Sequence, residues 1–259
     1  MLIWLDGRIV AASTPAIAAT DPAVLHGAGL FEVTRAYGGV PFRLRDHLER
    51  MRRSAAALRL PAPADDAVID RAIRALCRRN HLPDAYVRIE VTAGGRQFVL
   101  TRPLEPVRRP ARVTIVPWRR DPRSPLTGHK TLNYLESVRT REAARAKGFV
   151  DALFRDLRGN LLEGCVSNVF LVRRGDLVTP PLGQRILPGV TRKVVLEIAA
   201  RLGVRVFERA VPAQELRTAD EAFLTNAIVE VLPIGRRAGP ITRLMSMAYR
   251  SVVLTETAR

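Results

Sequence analysis

Of the 42 basic residues in this 259-residue chain, 39 are arginines and only Lys130, Lys147 and Lys193 are lysines. A chain that writes arginine almost wherever it needs a cation keeps lysine where a guanidinium will not serve. Arginine stays protonated, whereas a primary amine can lose its proton and add to a carbonyl. Lys130 stands in Gly128-His129-Lys130-Thr131-Leu132-Asn133-Tyr134, the second along the chain of four segments with chemical potential. The others are His47-Leu48-Glu49-Arg50, Leu162-Glu163-Gly164-Cys165-Val166-Ser167-Asn168-Val169-Phe170 and Ile186-Leu187-Pro188-Gly189-Val190-Thr191-Arg192. Together they offer an amine able to form an imine, an acid able to pair with a ring nitrogen, and donors for an anion at a helix start. Taken singly, each also has a plain structural explanation. Lys130 and Arg50 could be solvated charges, Glu163 a strand-end acid, and Leu187-Pro188-Gly189 a turn before a helix.

An aldehyde, a pyridine ring and a phosphate occur together in pyridoxal 5'-phosphate. In this order and spacing, the four segments resemble the fold-type IV pyridoxal-phosphate enzymes, or class IV aminotransferases, over residues 21–233. The resemblance implies an α/β (mixed α+β) fold of two domains with the cofactor in the cleft between them. It implies that Lys130 is the catalytic residue, which bonds the cofactor aldehyde and later shuttles a proton. It implies Glu163 facing the pyridine nitrogen and Leu187 packed against the ring. Arg50 and the backbone amides of Val190 and Thr191 would hold the phosphate. Ser167 and Asn168 are expected beside the phosphate or near Glu163, and Asn226 and Ala227 are expected at the cofactor as well.

On the substrate side, the run from Asp21 to Arg35 is similar to the family's Gly-x-Gly-x-Phe-Glu segment and contributes Phe31. It departs from the commoner pattern in having His26 where an aromatic is usual and Ala28 in place of an acid. Tyr86-Val87-Arg88 looks like the Tyr-Ile-Arg of branched-chain aminotransferases, and an inward Arg88 could clamp a substrate carboxylate. The resemblance implies a homodimer in which a second subunit completes the site; His26 could help from that adjoining subunit, or be a polar loop residue. Leu224-Thr225-Asn226-Ala227 resembles the lyase-like subgroup. The expected activity is a transaminase for D-amino acids with 2-oxoglutarate or pyruvate. The alternatives are an aminodeoxychorismate lyase releasing 4-aminobenzoate and pyruvate, and a branched-chain amino acid aminotransferase. No metal site is expected.

These residues need a scaffold, and the pattern supplies one. Leu30 to Tyr37 and Ala85 to Thr92 read as strands. Arg45 to Leu60 and Asp66 to Asn80 carry apolar residues at helical spacing. Further on, a helix is expected over about Tyr134 to Lys147, strands over Ala152 to Asp156 and Val166 to Val172, and a helix over Gly189 to Leu202. A strand near Glu221 to Thr225 and a final helix from Arg243 follow. The proline-rich, aperiodic run after Trp118 suggests a linker. The expected division is therefore an N-terminal domain over 1–118, a connection over 119–128 and a C-terminal domain over 129–259.

Composition narrows the classes further. Hydrophobic residues make up 47% of the chain, and no apolar run approaches the ~20 residues of a spanning helix. The first residues lack the features of a signal peptide, so a cytoplasmic enzyme without a membrane partner is expected. The net charge of +17 invites a nucleic-acid reading. Yet the arginines are spread along the whole chain with no basic-aromatic motif, zinc-finger spacing or basic tail, so no specific nucleic-acid partner is expected. Cys77 and Cys165 form no CxxC pair and need no disulfide.

Overall fold

A computed structural model describes residues 1–14, 17–107, 110–235 and 238–258. Contacts divide the chain into two compact units. The first holds Met1–Glu105, His129–Tyr134 and the end of the chain from Val253; the second holds Pro106–Gly128 and Leu135–Val252. Relative to the boundaries expected from sequence, 106–118 falls with the second unit and the lysine segment, 129–134, with the first.

The first unit is built on a six-stranded sheet. Its strands are β1 (Leu2–Leu5), β2 (Arg8–Ala11), β3 (Gly29–Tyr37), β4 (Val40–Pro41), β5 (Ala85–Thr92) and β6 (Gln97–Arg102), in the order β2-β1-β6-β5-β3-β4. Every neighbouring pair is antiparallel. The helices are α1 (Pro22–His26), α2 (Leu44–Leu58) and α3 (Asp66–Arg79). Strand alternation sorts the sheet into two faces. Leu30, Ala36, Val87, Ile89, Val91 and Val99 share one core with Leu48, Met51 and Ala55 of α2 and Ile69, Ile73 and Leu76 of α3. Phe31, Tyr86, Arg88 and Glu90 alternate with these core residues and so take the opposite face.

The second unit pairs two sheets. One runs β13-β9-β8-β7, from β7 (Val113–Ile115), β8 (Asp151–Arg155), β9 (Asn160–Gly164) and β13 (Val211–Pro212). The other runs β12-β11-β10-β14-β15, from β10 (Asn168–Arg173), β11 (Asp176–Thr179), β12 (Val206–Glu208), β14 (Glu221–Asn226) and β15 (Glu230–Pro233). Leu153 and Leu161 of the first sheet meet Val169, Leu171, Val178, Leu224 and Leu232 of the second in one buried cluster. Ala152, Phe154 and Leu162 point the other way and pack with Ala144 of α4 (Leu135–Ala146). Beyond the sandwich, α5 (Val190–Arg201) lies against β14, where Phe170 and Phe223 stack with centroids 5.0 Å apart. The short α6 (Glu215–Thr218) and the long α7 (Pro240–Thr257) complete the helices.

Strands β4, β6, β9, β11, β13 and β15 were not expected, and all but β6 span five residues or fewer. Windows that short carry little periodicity. α1 was also missed, because none of its five residues is buried and so no apolar stripe marks it.

Candidate active site

In the first unit, the lysine segment is an added strand on β3. The amide of Phe31 donates to the carbonyl of Lys130 at 2.9 Å, and the amide of Leu132 donates to Gly29 at 3.0 Å. Leu30 and Thr131 face each other as an antiparallel bridge. Alternation then decides where each side chain goes. His129 turns to the helix-covered face, where its Nδ1 lies 2.9 Å from the hydroxyl of Ser54 on α2. Lys130 turns to the opposite face, with its Nζ 4.4 Å from the Phe31 ring centroid and 5.1 Å from that of Tyr134. Those two rings meet edge to face at 5.0 Å. Asn133 completes the brace by donating to the carbonyl of Gly27 at 3.0 Å. A Cβ on Gly27 would sit 3.0 Å from the Asn133 side chain, at a backbone φ of +66° that favours glycine.

Arg88 joins this cluster. Its guanidinium carbon lies 3.9 Å from the Phe31 centroid, and its Nε is hydrogen-bonded to Glu90. Of the expected substrate residues, Phe31 and Arg88 are thus brought beside Lys130. His26 is not: it ends α1, exposed, with no hydrogen-bond partner among the described residues.

Arg50 occupies the helix-covered face. Its Nε and Nη2 donate to the two oxygens of Glu32 at 2.7 and 2.5 Å, and His47 Nδ1 lies 2.9 Å from the same carboxylate. Burial would raise the Glu32 pKa, but the Arg50 charge and the hydrogen bonds from His47 and Arg50 hold it down to about 2. Burial also pushes His47 below its ordinary value, against the pull of Glu32. Glu32 was visible in the sequence only as a family letter beside Phe31. Its position on the buried face of β3, opposite α2, gives it a role.

In the second unit, the backbone of Leu187 is pinned on both sides. Its amide donates to Glu163 Oε2 at 3.0 Å, and its carbonyl accepts from Asn168 Nδ2 at 3.0 Å. Asn168 then abuts Gly189, where a Cβ would come within 2.0 Å of its Oδ1. Gly189 caps α5 with no side-chain hydrogen bond, so the first amides of the helix, at Val190 and Thr191, have no side-chain acceptor from the cap. The hydroxyl of Thr225, on the residue paired with Asn168 across β10 and β14, is buried with no hydrogen-bond partner among the described residues.

Ser167 and Asn226 have structural duties. Ser167 donates to Asp151 Oδ2 at 2.6 Å, while Asp151 Oδ1 accepts from the amides of Ala152 and Cys165. A Cβ on Gly164 would collide with that pair at 2.4 Å. Asn226 Oδ1 accepts from the amides of Ile228 and Val229, so its side chain shapes the turn containing Ala227. Sequence reasoning missed Asp151, Thr225 and Glu90. Of these, Glu90 carried a signal as an acid two residues from Arg88 on one strand face, and Thr225 as the neighbour of Asn226 in the quoted segment.

The donor set can be tested against a phosphorylated pyridine aldehyde. An uncapped twelve-residue helix start beside an orphaned buried hydroxyl suits a phosphate. A carboxylate fixed by the Leu187 amide suits a pyridinium, and a lysine between aromatic rings suits an aldehyde. Within its own unit, each of these sets fits one part of the group. Among the described residues there is no cluster of acidic, histidine or cysteine side chains able to hold a metal, and no helix is long and apolar enough to cross a membrane.

Comparison with known proteins gives the family of the chain. Residues 29–236 match the family described as "Amino-transferase class IV". The structure of a branched-chain aminotransferase from Thermoproteus uzoniensis with norvaline superposes with a TM-score of 0.90 at 34% identity, over 100% of this chain and 96% of that one. A Methanocaldococcus jannaschii protein, provisionally named a branched-chain-amino-acid aminotransferase, is 34% identical over 97% of this chain and 96% of its own. The D-alanine aminotransferase of Bacillus licheniformis is 30% identical over 100% of this chain and 99% of its own.

Proposed function

Because the chain belongs to the class IV aminotransferases, enzymes that use pyridoxal 5'-phosphate, we propose that it transfers amino groups between branched-chain amino acids and 2-oxo acids. This reading replaces the D-amino acid activity expected from sequence, because the similar proteins are mostly named as branched-chain aminotransferases. The observation that carries it on the chain itself is the pair of aromatic rings, Phe31 and Tyr134, beside Lys130. Tyr134 is half-buried, so an aliphatic side chain gains by burial against its ring, at about 25 cal/mol per Å² of apolar surface.

The roles follow from the side chains. When bound, pyridoxal phosphate supplies an electron-withdrawing ring that stabilises negative charge at the substrate carbon. Lys130 anchors the cofactor, and its Nζ removes the proton from the amino-acid Cα. Glu163 keeps the ring nitrogen protonated, since a carboxylate beside it favours the charged form. Val190, Thr191 and Thr225 hold the phosphate, with Asn168 and Leu187 fixing the loop that enters α5. Arg50 joins them as a positive charge, oriented by Glu32. Ser167, Asn226 and Ala227 support the loops around the site.

The same reading makes the protein a homodimer, with the exposed Val24 and Leu25 of α1 as candidate covered surface. Mixing the yellow holoenzyme with single amino acids tests the substrate assignment. Conversion by L-leucine, L-isoleucine and L-valine should exceed that by D-alanine at least about tenfold in kcat/KM, a difference of ~1.4 kcal/mol. Preference for D-alanine, or release of 4-aminobenzoate from aminodeoxychorismate, would overturn it.

A further inference from the structure

Asp151 opens β8 as a buried carboxylate that the roles above leave unused, 2% exposed and set inside the turn from β9 to β10. Its Oδ1 accepts from the amides of Ala152 and Cys165 at 2.9 and 3.1 Å. Its Oδ2 accepts from the Ser167 hydroxyl at 2.6 Å. The turn closes where the Gly164 amide donates to the Ser167 carbonyl at 2.7 Å. Gly164 leaves room for the carboxylate, because a Cβ there would strike both Asp151 and Ser167. The residues that flank the turn are the two that pin Leu187: Glu163 before it, on the amide, and Asn168 after it, on the carbonyl. Burial raises the Asp151 pKa, against the Ser167 hydroxyl and the Arg141 charge. Held away from water, the group acts chiefly through the hydrogen bonds it accepts.

We propose that Asp151 is a positioning residue for Glu163: it holds residues 164–167 from within, and so keeps the Glu163 carboxylate at the Leu187 amide and at the ring nitrogen of the cofactor. The inference rests on the assignment of Glu163 to that nitrogen. Removing the Asp151 carboxylate takes an acceptor from two amides and a hydroxyl in a water-poor interior, and the turn must shift to find others. Glu163 directly precedes that turn on β9, so its carboxylate shifts too. A carboxylate favours a protonated base only at close range, so the ring nitrogen then gives up its proton more readily.

The test reads the ring nitrogen directly, by the nitrogen NMR shift of ring-labelled pyridoxal phosphate in holoenzyme, followed against pH. Wild type, Glu163→Gln, Asp151→Ala, Asp151→Asn and Ser167→Ala are compared. Glu163→Gln should lower the apparent pKa of the ring nitrogen, and Asp151→Ala should lower it by at least about one unit, a tenfold loss of the protonated ring. Asp151→Asn keeps an oxygen for both amides and should restore the wild-type value, a rescue that a general loss of stability would not give. Ser167→Ala removes one hydrogen bond and should lower the value by about half a unit; it carries the test if Asp151→Ala does not fold. A wild-type value in Asp151→Ala or in Ser167→Ala, with Glu163→Gln shifted, overturns the proposal. So does an Asp151→Asn value as low as that of Asp151→Ala, which would assign the effect to the charge of Asp151. A ring nitrogen unmoved in Glu163→Gln would instead overturn the role of Glu163, and this inference with it.

Discussion

Arg50 donates from both Nε and Nη2 to Glu32, at 2.7 and 2.5 Å, and this buried pair ties α2 to β3. The two side chains are 6% and 1% exposed. Removing one partner of such a pair strands the other charge away from water. Glu32→Gln should therefore destabilise the protein by about 3–5 kcal/mol, measured by urea unfolding.

Acid sensitivity follows from the same cluster. Glu32 titrates at about 2 when folded instead of 4.5, so its contribution is complete above the unfolded value and is lost as pH falls through the folded one. His47 is also depressed in the fold. Below its ordinary 6.5 the unfolded chain binds the proton first, so stability falls with acidification there too. Unfolding free energy should decline in two steps as pH drops below about 6.5 and then below about 4.5. Asp21, Asp121 and Glu215 are held low as well, so Glu32→Gln should shrink the second step, and a decline unchanged in that variant would contradict the assignment.

Thr225 gives a cleaner test of the phosphate site. Its buried hydroxyl has no hydrogen-bond partner among the described residues. Thr225→Val removes an unsatisfied polar group, so the apoprotein should be equally stable or gain up to about 1 kcal/mol. Affinity for pyridoxal phosphate should instead fall about tenfold, the worth of one hydrogen bond to a charged group. Equal losses in both would place the hydroxyl in structure alone.

Gly189 is predicted to be intolerant of any side chain. A Cβ there would lie 2.0 Å from Asn168 Oδ1, so Gly189→Ala must displace the residue that holds the Leu187 carbonyl. Cofactor affinity should drop at least about tenfold, as expected when a close backbone approach is blocked. Gly183, whose added Cβ meets nothing within 4 Å, is the control and should change little.

The four chemical segments were legible in the sequence because each needs a rare residue type or a turn signal in a fixed order. Ala85–Thr92 matched its strand at both ends, and α2, α3, α4 and α5 fell within two residues of their expected ends. What escaped was pairing. The placement of 129–134 in the first unit depends on hydrogen bonds to β3 across a hundred residues, which no local pattern encodes. Asp151 and Thr225 likewise acquire meaning only through neighbours from other strands. The arginines, spread along the chain, find their use in the fold. Many arginines serve local ion pairs, as Arg74 does with Asp70 and Arg205 with Asp176.

Both cysteines should be chemically silent. Cys77 and Cys165 are free and buried, and burial with the nearby Asp151 pushes the Cys165 thiol up to about 12. Alkylation by iodoacetamide needs the thiolate. Native protein should stay unmodified at pH 8, with both sites reacting after unfolding. Rapid native labelling of Cys165 would contradict the packing around β8.

The central claim is that Lys130 alone carries the cofactor. Holoenzyme reduced with borohydride, digested and mass-mapped should show a phosphopyridoxyl group on the peptide containing Lys130, and Lys130→Ala should abolish it. A label on Lys147 or Lys193, or none at all, would contradict the account.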